Sequence, residues 1–310
     1  MELNSNISKL NALTISFIKE KGNELNKKFG LSKEFLTEIV TPIASLIVSE
    51  SKKKPLKIYI SGGQGSGKTT LSYALKIILE NCFDVRVANF SIDDLYLPKS
   101  ERYRLSKKVH PLLKTRGVPG THEIQLGIDT INSLVSQKNK ETRIPMFSKK
   151  YDDRLSKSDW PIFYGTPNVI IFEGWCVGAV PFSENFWKGP VNSLEQKYDP
   201  DGSWAKWVNR QLSGDYQDLF SLFDISAYIK SKNFKDIYKN RLKQEEEAKK
   251  NSINSKLPDR LMSENQVKNF VMHFERITKK MEIYMPKKCD IVIRRDGNEQ
   301  FSFIKTKIIK

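Results

Sequence analysis

A three-layer α/β fold, with a mostly parallel sheet between two layers of helices, is predicted by three features of the sequence. Short apolar runs of strand length alternate with longer stretches of helical periodicity, the pattern of a parallel sheet covered on both faces. One of these runs, Leu56–Ile60, leads into a glycine-rich turn, and that turn opens an amphipathic helix. The 310 residues suffice for one large α/β domain with insertions.

Residues 1–54 read as helices. Ile7, Leu10, Leu13, Phe17 and Ile18, and then Phe35, Ile39, Ile43 and Leu46, recur near helical spacing. Pro55 ends this helical N-terminal extension, which is expected to cap the domain spanning 55–310. Leu56–Ile60 is the first strand. Thr69–Asn81 follows as a helix with Leu71, Leu75, Ile78 and Leu79 on one face. Val85–Ile92, Asn168–Phe172 and Ile225–Ile229 are further strands, and Thr121–Gln137 is a helix. Phe234–Lys250 and Ser263–Tyr284 are amphipathic helices. The charged segment at about 234–262 is either a solvated helix or a helical lid. Ile291–Arg294 and Phe301–Ile304 are set to close a hairpin across Asp296-Gly297. Pro98–Gly120 and Phe147–Thr166 lack clear periodicity. They adjoin strands, where α/β folds build their sites.

Composition narrows the function. Hydrophobic residues are 39% and charged residues 28%, an ordinary globular balance. No apolar run reaches 18 residues, so no membrane span is expected. The N-terminus lacks the apolar core of a signal peptide and carries Glu20, Glu24, Glu34 and Glu38, unlike a transit peptide; a cytoplasmic protein is expected. Cys82, Cys176 and Cys289 have no metal spacing and read as free thiols. The net charge of +16 is dispersed, without an aromatic-interleaved basic motif, so no nucleic-acid partner is expected. Oligomeric state is not legible, and a monomer is the default.

Gly62-Gly63-Gln64-Gly65-Ser66-Gly67-Lys68-Thr69, with Thr70 following, fits G-x-x-x-x-G-K-[ST]. Glycines let the backbone curl so that successive N–H groups face a phosphate chain. The helix that follows adds its positive end. Lys68 is placed to reach the β- and γ-phosphates of ATP, and Thr69 to ligate Mg²⁺. The fold class is therefore a P-loop NTPase-type three-layer α/β/α. Val169–Phe172 is an apolar strand ending in Glu173, which is expected beside the Mg²⁺. Phe90–Ile92 ends in Asp93 and Asp94; neighbours on a strand face opposite ways, so one of the two points into a cleft as a proton acceptor. Arg116 lies in a turn-rich segment where Thr121 is a possible N-cap. Arg241 sits on the basic helix and would serve as a lid arginine toward the transferring phosphoryl group.

Together these residues resemble the glycerate kinase family of plants, fungi and cyanobacteria, P-loop kinases related to phosphoribulokinase, uridine kinase and pantothenate kinase. The resemblance covers roughly residues 55–295. It rests on SGGQGSGKTT at 61–70, FSIDDLYL at 90–97, RGVPGTHE at 116–123, IPMFSKK at 144–150, IFEGWCVG at 171–178, NRLKQEE at 240–246 and NQVKNFV at 265–271. The family implies transfer of the ATP γ-phosphate to the 3-hydroxyl of D-glycerate, a step of photorespiratory salvage. It implies Asp93 as the base, with Asp94, Tyr96, Arg116, His122 and Arg154 on the acceptor side, Arg116 and Arg154 pairing the glycerate carboxylate. Pro145–Lys150 departs from the family's P-R-[FY]-D-K-S in lacking both the Arg and the Asp. His273 stands where an arginine is usual. Two other readings stay open: a kinase for a nucleoside or pantothenate, and a nucleotide-dependent switch or RNA-associated ATPase.

Overall fold

Ile170 and Phe172 point to one side of their strand and Val169 and Ile171 to the other, and all four are fully buried. A strand buried on both faces needs a helical layer on each side, and that is the architecture found. The computed structural model describes residues 2–51, 55–136, 138, 140–252, 262–296 and 300–306.

The strands are β1 (Leu56–Gly62), β2 (Val87–Ser91), β3 (Glu141–Arg143), β4 (Phe147–Ser148), β5 (Asp153–Arg154), β6 (Ile162–Tyr164), β7 (Val169–Gly174), β8 (Ile225–Ser231), β9 (Ile291–Arg295) and β10 (Phe301–Thr306). Six of them form the main sheet in the order β10-β9-β8-β1-β7-β2. All neighbours are parallel except β10, which runs antiparallel to β9. The expected C-terminal hairpin is therefore present, with Gly297 of its turn outside the described residues. β3 pairs with β6 and β4 with β5, both antiparallel and apart from the main sheet.

One face of the sheet is covered by the helix Lys68–Phe83 and by the N-terminal helices. Ile18, Leu36, Ile39, Ile43 and Ile47 share a core with Leu71, Leu75 and Ile78 and with Ile58 and Ile60 of β1. The N-terminal helices thus complete a layer of the main core. The other face is covered by helices Ile124–Val135, Ser203–Leu212, Asp215–Ser221 and Glu275–Lys288. The helix Phe234–Ser252 packs on Glu264–Met272 through Ile237, Val267 and Val271. The rest of the expected lid, 253–261, lies outside the described residues.

The aperiodic stretches hold structure that helical periodicity could not reveal. Lys99–Lys108 is a helix whose buried side chains are Arg102 and Ser106, so it carries no apolar stripe. Arg102 is satisfied by carbonyls: Nε donates to Leu97 O at 3.1 Å, Nη1 to Lys114 O at 3.2 Å and Nη2 to Asp152 O at 2.6 Å. No helix among the described residues is long and apolar enough to cross a membrane.

Candidate active site

β1 lies between β7 and β8, and the glycine-rich loop leaves its carboxyl end. Gly65 and Gly67 adopt left-handed φ values of 71° and 97°, open to glycine at little cost. The loop is also closely covered. A Cβ on Gly65 would stand 2.7 Å from Cβ of Asn240, so the helix Phe234–Ser252 rests directly on the loop. Lys68 begins the following helix, is buried, and curls back to donate from Nζ to Gly63 O at 3.0 Å. Burial lowers its pKa against the opposing pull of Glu173 and Asp93. Ser66 Oγ is buried without a partner inside the loop. Thr69 and Thr70 are exposed at the mouth.

Parallel pairing sets Ile60 of β1 and Ser91 of β2 beside Glu173 of β7. Glu173 thereby reaches the loop: Thr69 Oγ1 donates to Glu173 Oε1 at 2.8 Å. Burial raises the Glu173 carboxyl, with Lys68 opposing. A hydroxyl and a carboxylate this close are a hard-oxygen donor set of the kind Mg²⁺ accepts alongside phosphate oxygens and water.

β2 continues into the turn Ile92–Leu95, where the two aspartates separate. Asp94 Oδ2 accepts the Ser91 N–H at 3.0 Å and Ser91 Oγ accepts the Asp93 N–H at 3.1 Å, a reciprocal cap. Asp94 Oδ1 also accepts the Phe147 N–H at 3.3 Å. Asp94, grouped by the sequence with acceptor-binding residues, therefore holds backbone, and burial pushes its carboxyl up to about 6. Asp93 faces side chains. Tyr96 donates from its hydroxyl to Oδ1 at 2.6 Å, and the Lys149 ammonium lies 2.8 Å from Oδ2. Burial works to raise the Asp93 carboxyl, but the Lys149 charge and the hydrogen bonds from Lys149 and Tyr96 outweigh it and hold it well below the usual range.

His122 stacks on Tyr96 with ring centroids 4.7 Å apart. Its Nδ1 lies 2.6 Å from the Tyr216 hydroxyl, which itself accepts the Gly120 N–H at 2.8 Å. With Tyr216 donating to Nδ1 the His122 proton sits on Nε2, and with Tyr216 accepting it sits on Nδ1. That Nε2 is buried and has no partner. Burial lowers the imidazole to about 3, so it is neutral at physiological pH.

Each of the three arginines singled out in the sequence has a protein partner. Arg154 donates from Nε and Nη2 to Tyr96 O at 3.1 and 2.7 Å and from Nη2 to Leu95 O at 3.1 Å, and Nη1 pairs with Glu123. A guanidinium engaged on three sides is a staple for the aspartate turn, not a free carboxylate clamp. Arg116 pairs with Asp152 and lies over the Phe147 ring, centroid distance 5.6 Å. Arg241 pairs with Glu245 one helical turn on and lies over Phe270 at 5.7 Å. Thr121 caps no helix: its Oγ1 accepts the Gly117 N–H at 2.9 Å and donates to Val118 O at 2.7 Å, closing the turn. Lys149 and Tyr216 escaped the sequence reading. Lys149 lies in the quoted segment IPMFSKK; Tyr216 has no local signal, because its partner is 94 residues away.

A phosphate-curling loop at the end of a central parallel strand, with a lysine inside it and a hydroxyl–carboxylate pair beside it, defines the nucleotide site of a P-loop kinase. No family model matches the chain. It is 34% identical over 245 residues to the uncharacterized kinase mug58 of Schizosaccharomyces pombe, spanning 76% of this chain and 85% of that protein. It is 29% identical over 228 residues to the chloroplastic D-glycerate 3-kinase of Arabidopsis thaliana, 71% of this chain but 46% of that protein. The solved structure of D-glycerate 3-kinase from Cryptococcus neoformans var. grubii matches with a TM-score of 0.67 at 23% identity, covering 86% of this chain and 99% of that one. At that identity the structural match speaks for the fold. The chain belongs to the P-loop kinase family of the fission yeast kinase, and it is an ATP-dependent kinase acting on a small molecule.

Proposed function

We propose that the chain transfers the γ-phosphate of ATP directly to the 3-hydroxyl of D-glycerate, giving 3-phosphoglycerate and ADP. The observation that carries this reading is Asp93: a carboxylate at the end of β2, hydrogen-bonded by Tyr96, within the electrostatic reach of Lys68 and Glu173. Two relatives are named D-glycerate 3-kinase, which supports the choice of acceptor.

The roles follow from the donors and acceptors at hand. The backbone N–H groups of Gly62–Thr70 cradle the phosphates, and Lys68 leaves Gly63 O for the β- and γ-phosphate oxygens. Thr69 and Glu173 would hold Mg²⁺. When bound, that ion neutralises charge on the β- and γ-phosphates. Asp93 orients the acceptor hydroxyl and takes its proton as the oxygen attacks. Tyr96 keeps Asp93 in place, and His122, with Tyr216 donating to Nδ1, offers its Nε2–H to an acceptor oxygen. Arg241, one residue beyond the Asn240 that rests on Gly65, releases Glu245 to meet the γ-phosphoryl oxygens as charge moves to the leaving group. In-line transfer of this kind is catalysed almost entirely by positioning and electrostatics. The same reading suits a cytoplasmic protein serving glycerate salvage of the photorespiratory kind.

A coupled ADP-release assay with ATP·Mg²⁺ and D-glycerate, L-glycerate, uridine, pantothenate or no acceptor tests this. Turnover that depends on D-glycerate supports the proposal. Turnover with uridine or pantothenate alone, or turnover that needs no acceptor, refutes it.

A further inference from the structure

We propose that Lys149 is the acceptor-binding cation of this kinase: it holds Asp93 while the acceptor site is empty and passes its ammonium to a carboxylate of the incoming acceptor. The inference rests on the glycerate kinase reading above and adds which group recognises the acceptor's negative charge.

Three observations converge on it. The first is elimination among the neighbouring cations. Arg102, Arg116 and Arg154 all brace the β4–β5 hairpin: Arg102 and Arg116 meet Asp152, and Arg154 ties β5 to the carbonyls of Leu95 and Tyr96. Phe147 of β4 lies under both the Arg102 and Arg116 guanidinium groups, at 5.8 and 5.6 Å. Each of these arginines has a structural partner to lose. Lys149 stands in the turn of the same braced hairpin with its side chain 67% exposed and its ammonium on Asp93. A fixed hairpin aims it, and a flexible four-carbon stem lets the charge move by the width of a small substrate.

The second is that the resting pair is unproductive. A carboxylate neutralised by an ammonium is a poor proton acceptor, so the attacking hydroxyl needs Lys149 drawn aside. An acceptor that brings its own anionic group gives Lys149 a new partner and frees Asp93 at the same moment. A neutral acceptor leaves the pair closed. The third is a second polar group for the same anion: His122, whose ring is stacked on Tyr96, has a buried and unpartnered Nε2, a donor when Nδ1 accepts from Tyr216, and the Tyr96 hydroxyl binds Asp93.

The test compares wild type, Lys149→Gln and Lys149→Arg with D-glycerate and with D-glyceramide, in which the carboxylate is replaced by a neutral amide. Binding of a fluorescent ATP analogue and thermal melting report that each variant is folded. Wild type is expected to prefer D-glycerate in kcat/KM. Lys149→Gln is expected to lower kcat/KM for D-glycerate by about 10–100-fold while leaving that for D-glyceramide unchanged or raised, because Asp93 is no longer held by the ammonium. Lys149→Arg is expected to keep most of the preference. Equal losses on both acceptors, no loss on either, or a wild-type enzyme indifferent to the carboxylate overturns the role of Lys149 while leaving the glycerate kinase reading intact. A wild-type enzyme that phosphorylates no hydroxy acid overturns that reading, and the role of Lys149 with it.

Discussion

The two halves of the site are built in different ways. The nucleotide half is made of one short segment: nine consecutive residues, Gly62–Thr70, supply the cradle, the lysine and the hydroxyl. Glu173 is carried in from β7 by strand pairing, and Arg241 comes from the helix over the loop. The proposed acceptor half is assembled from four separated pieces: the turn Ile92–Leu95 with Tyr96, the segment Arg116–His122, the β4–β5 hairpin, and Tyr216. Phosphates are met by backbone, which any sequence of suitable glycines can present. An acceptor is met by side chains, whose aim depends on distant contacts. A substitution in the nucleotide half should therefore act on chemistry or on ATP directly, while one in the acceptor half should act through neighbours.

The largest effect expected is that of Asp93→Asn, which should lower kcat roughly 10²–10⁴-fold with ATP affinity unchanged in steady-state and binding measurements. Unchanged turnover would remove Asp93 from the chemistry and leave the acceptor half without a base. Lys68→Ala should cost roughly 10²–10³-fold in kcat, because a preorganised charge at the transferring group is lost. Gly65→Ala adds a Cβ at φ 71° that would meet Asn240 at 2.7 Å. It should unseat the helix over the loop and reduce kcat/KM for ATP by up to about 100-fold, with little effect on the acceptor KM. A rise in acceptor KM alone would contradict the division into halves.

A subtler probe is the pH profile. Asp93 faces Lys149 from the hairpin, Tyr96 and His122 from its own side, and Lys68 and Glu173 across the cleft. Lys149 holds its carboxyl below the ordinary range, so the base stays ionised as pH falls through the values where carboxylates usually titrate. The acid limb of kcat/KM should therefore lie low in wild type. In Lys149→Gln the largest influence opposing burial is lost and chiefly the Tyr96 hydrogen bond remains, so the limb should move to higher pH. A limb that does not move would mean that Asp93 does not report on activity. The smallest effect is expected from Tyr216→Phe. It leaves the Gly120 N–H and His122 Nδ1 without their shared partner, at about 1–3 kcal/mol of stability, read by denaturant unfolding.

The same contrast explains what could be read from the sequence. The strands of the main sheet and the P-loop were legible because each depends on local periodicity or on a contiguous motif, whereas β3–β6 and the helices Lys99–Lys108, Ser203–Leu212 and Asp215–Ser221 were not. Glu173 was legible because an apolar strand ending in a carboxylate has one natural position relative to a P-loop. The pair Asp93-Asp94 could be narrowed to one cleft residue, but choosing between them required the cap: Asp94 binds Ser91 in the same turn and Phe147 from β4. The structural partners of the acceptor arginines were not legible, because arginine's usual surface role says nothing of carbonyls brought near by folding. The Arg154 guanidinium is fixed by Leu95 and Tyr96, residues on a different segment. Lys149 lay on the lysine of the P-R-[FY]-D-K-S comparison, but its role was missed until the fold placed Asp93 beside it.

The most direct measurement of the central claim is ³¹P NMR of ATP·Mg²⁺ and D-glycerate incubated with the enzyme. Direct transfer to the 3-hydroxyl predicts that the γ-phosphorus signal converts to 3-phosphoglycerate as ADP appears, without release of inorganic phosphate. Inorganic phosphate as the main product, or an ester on the 2-hydroxyl, would contradict it.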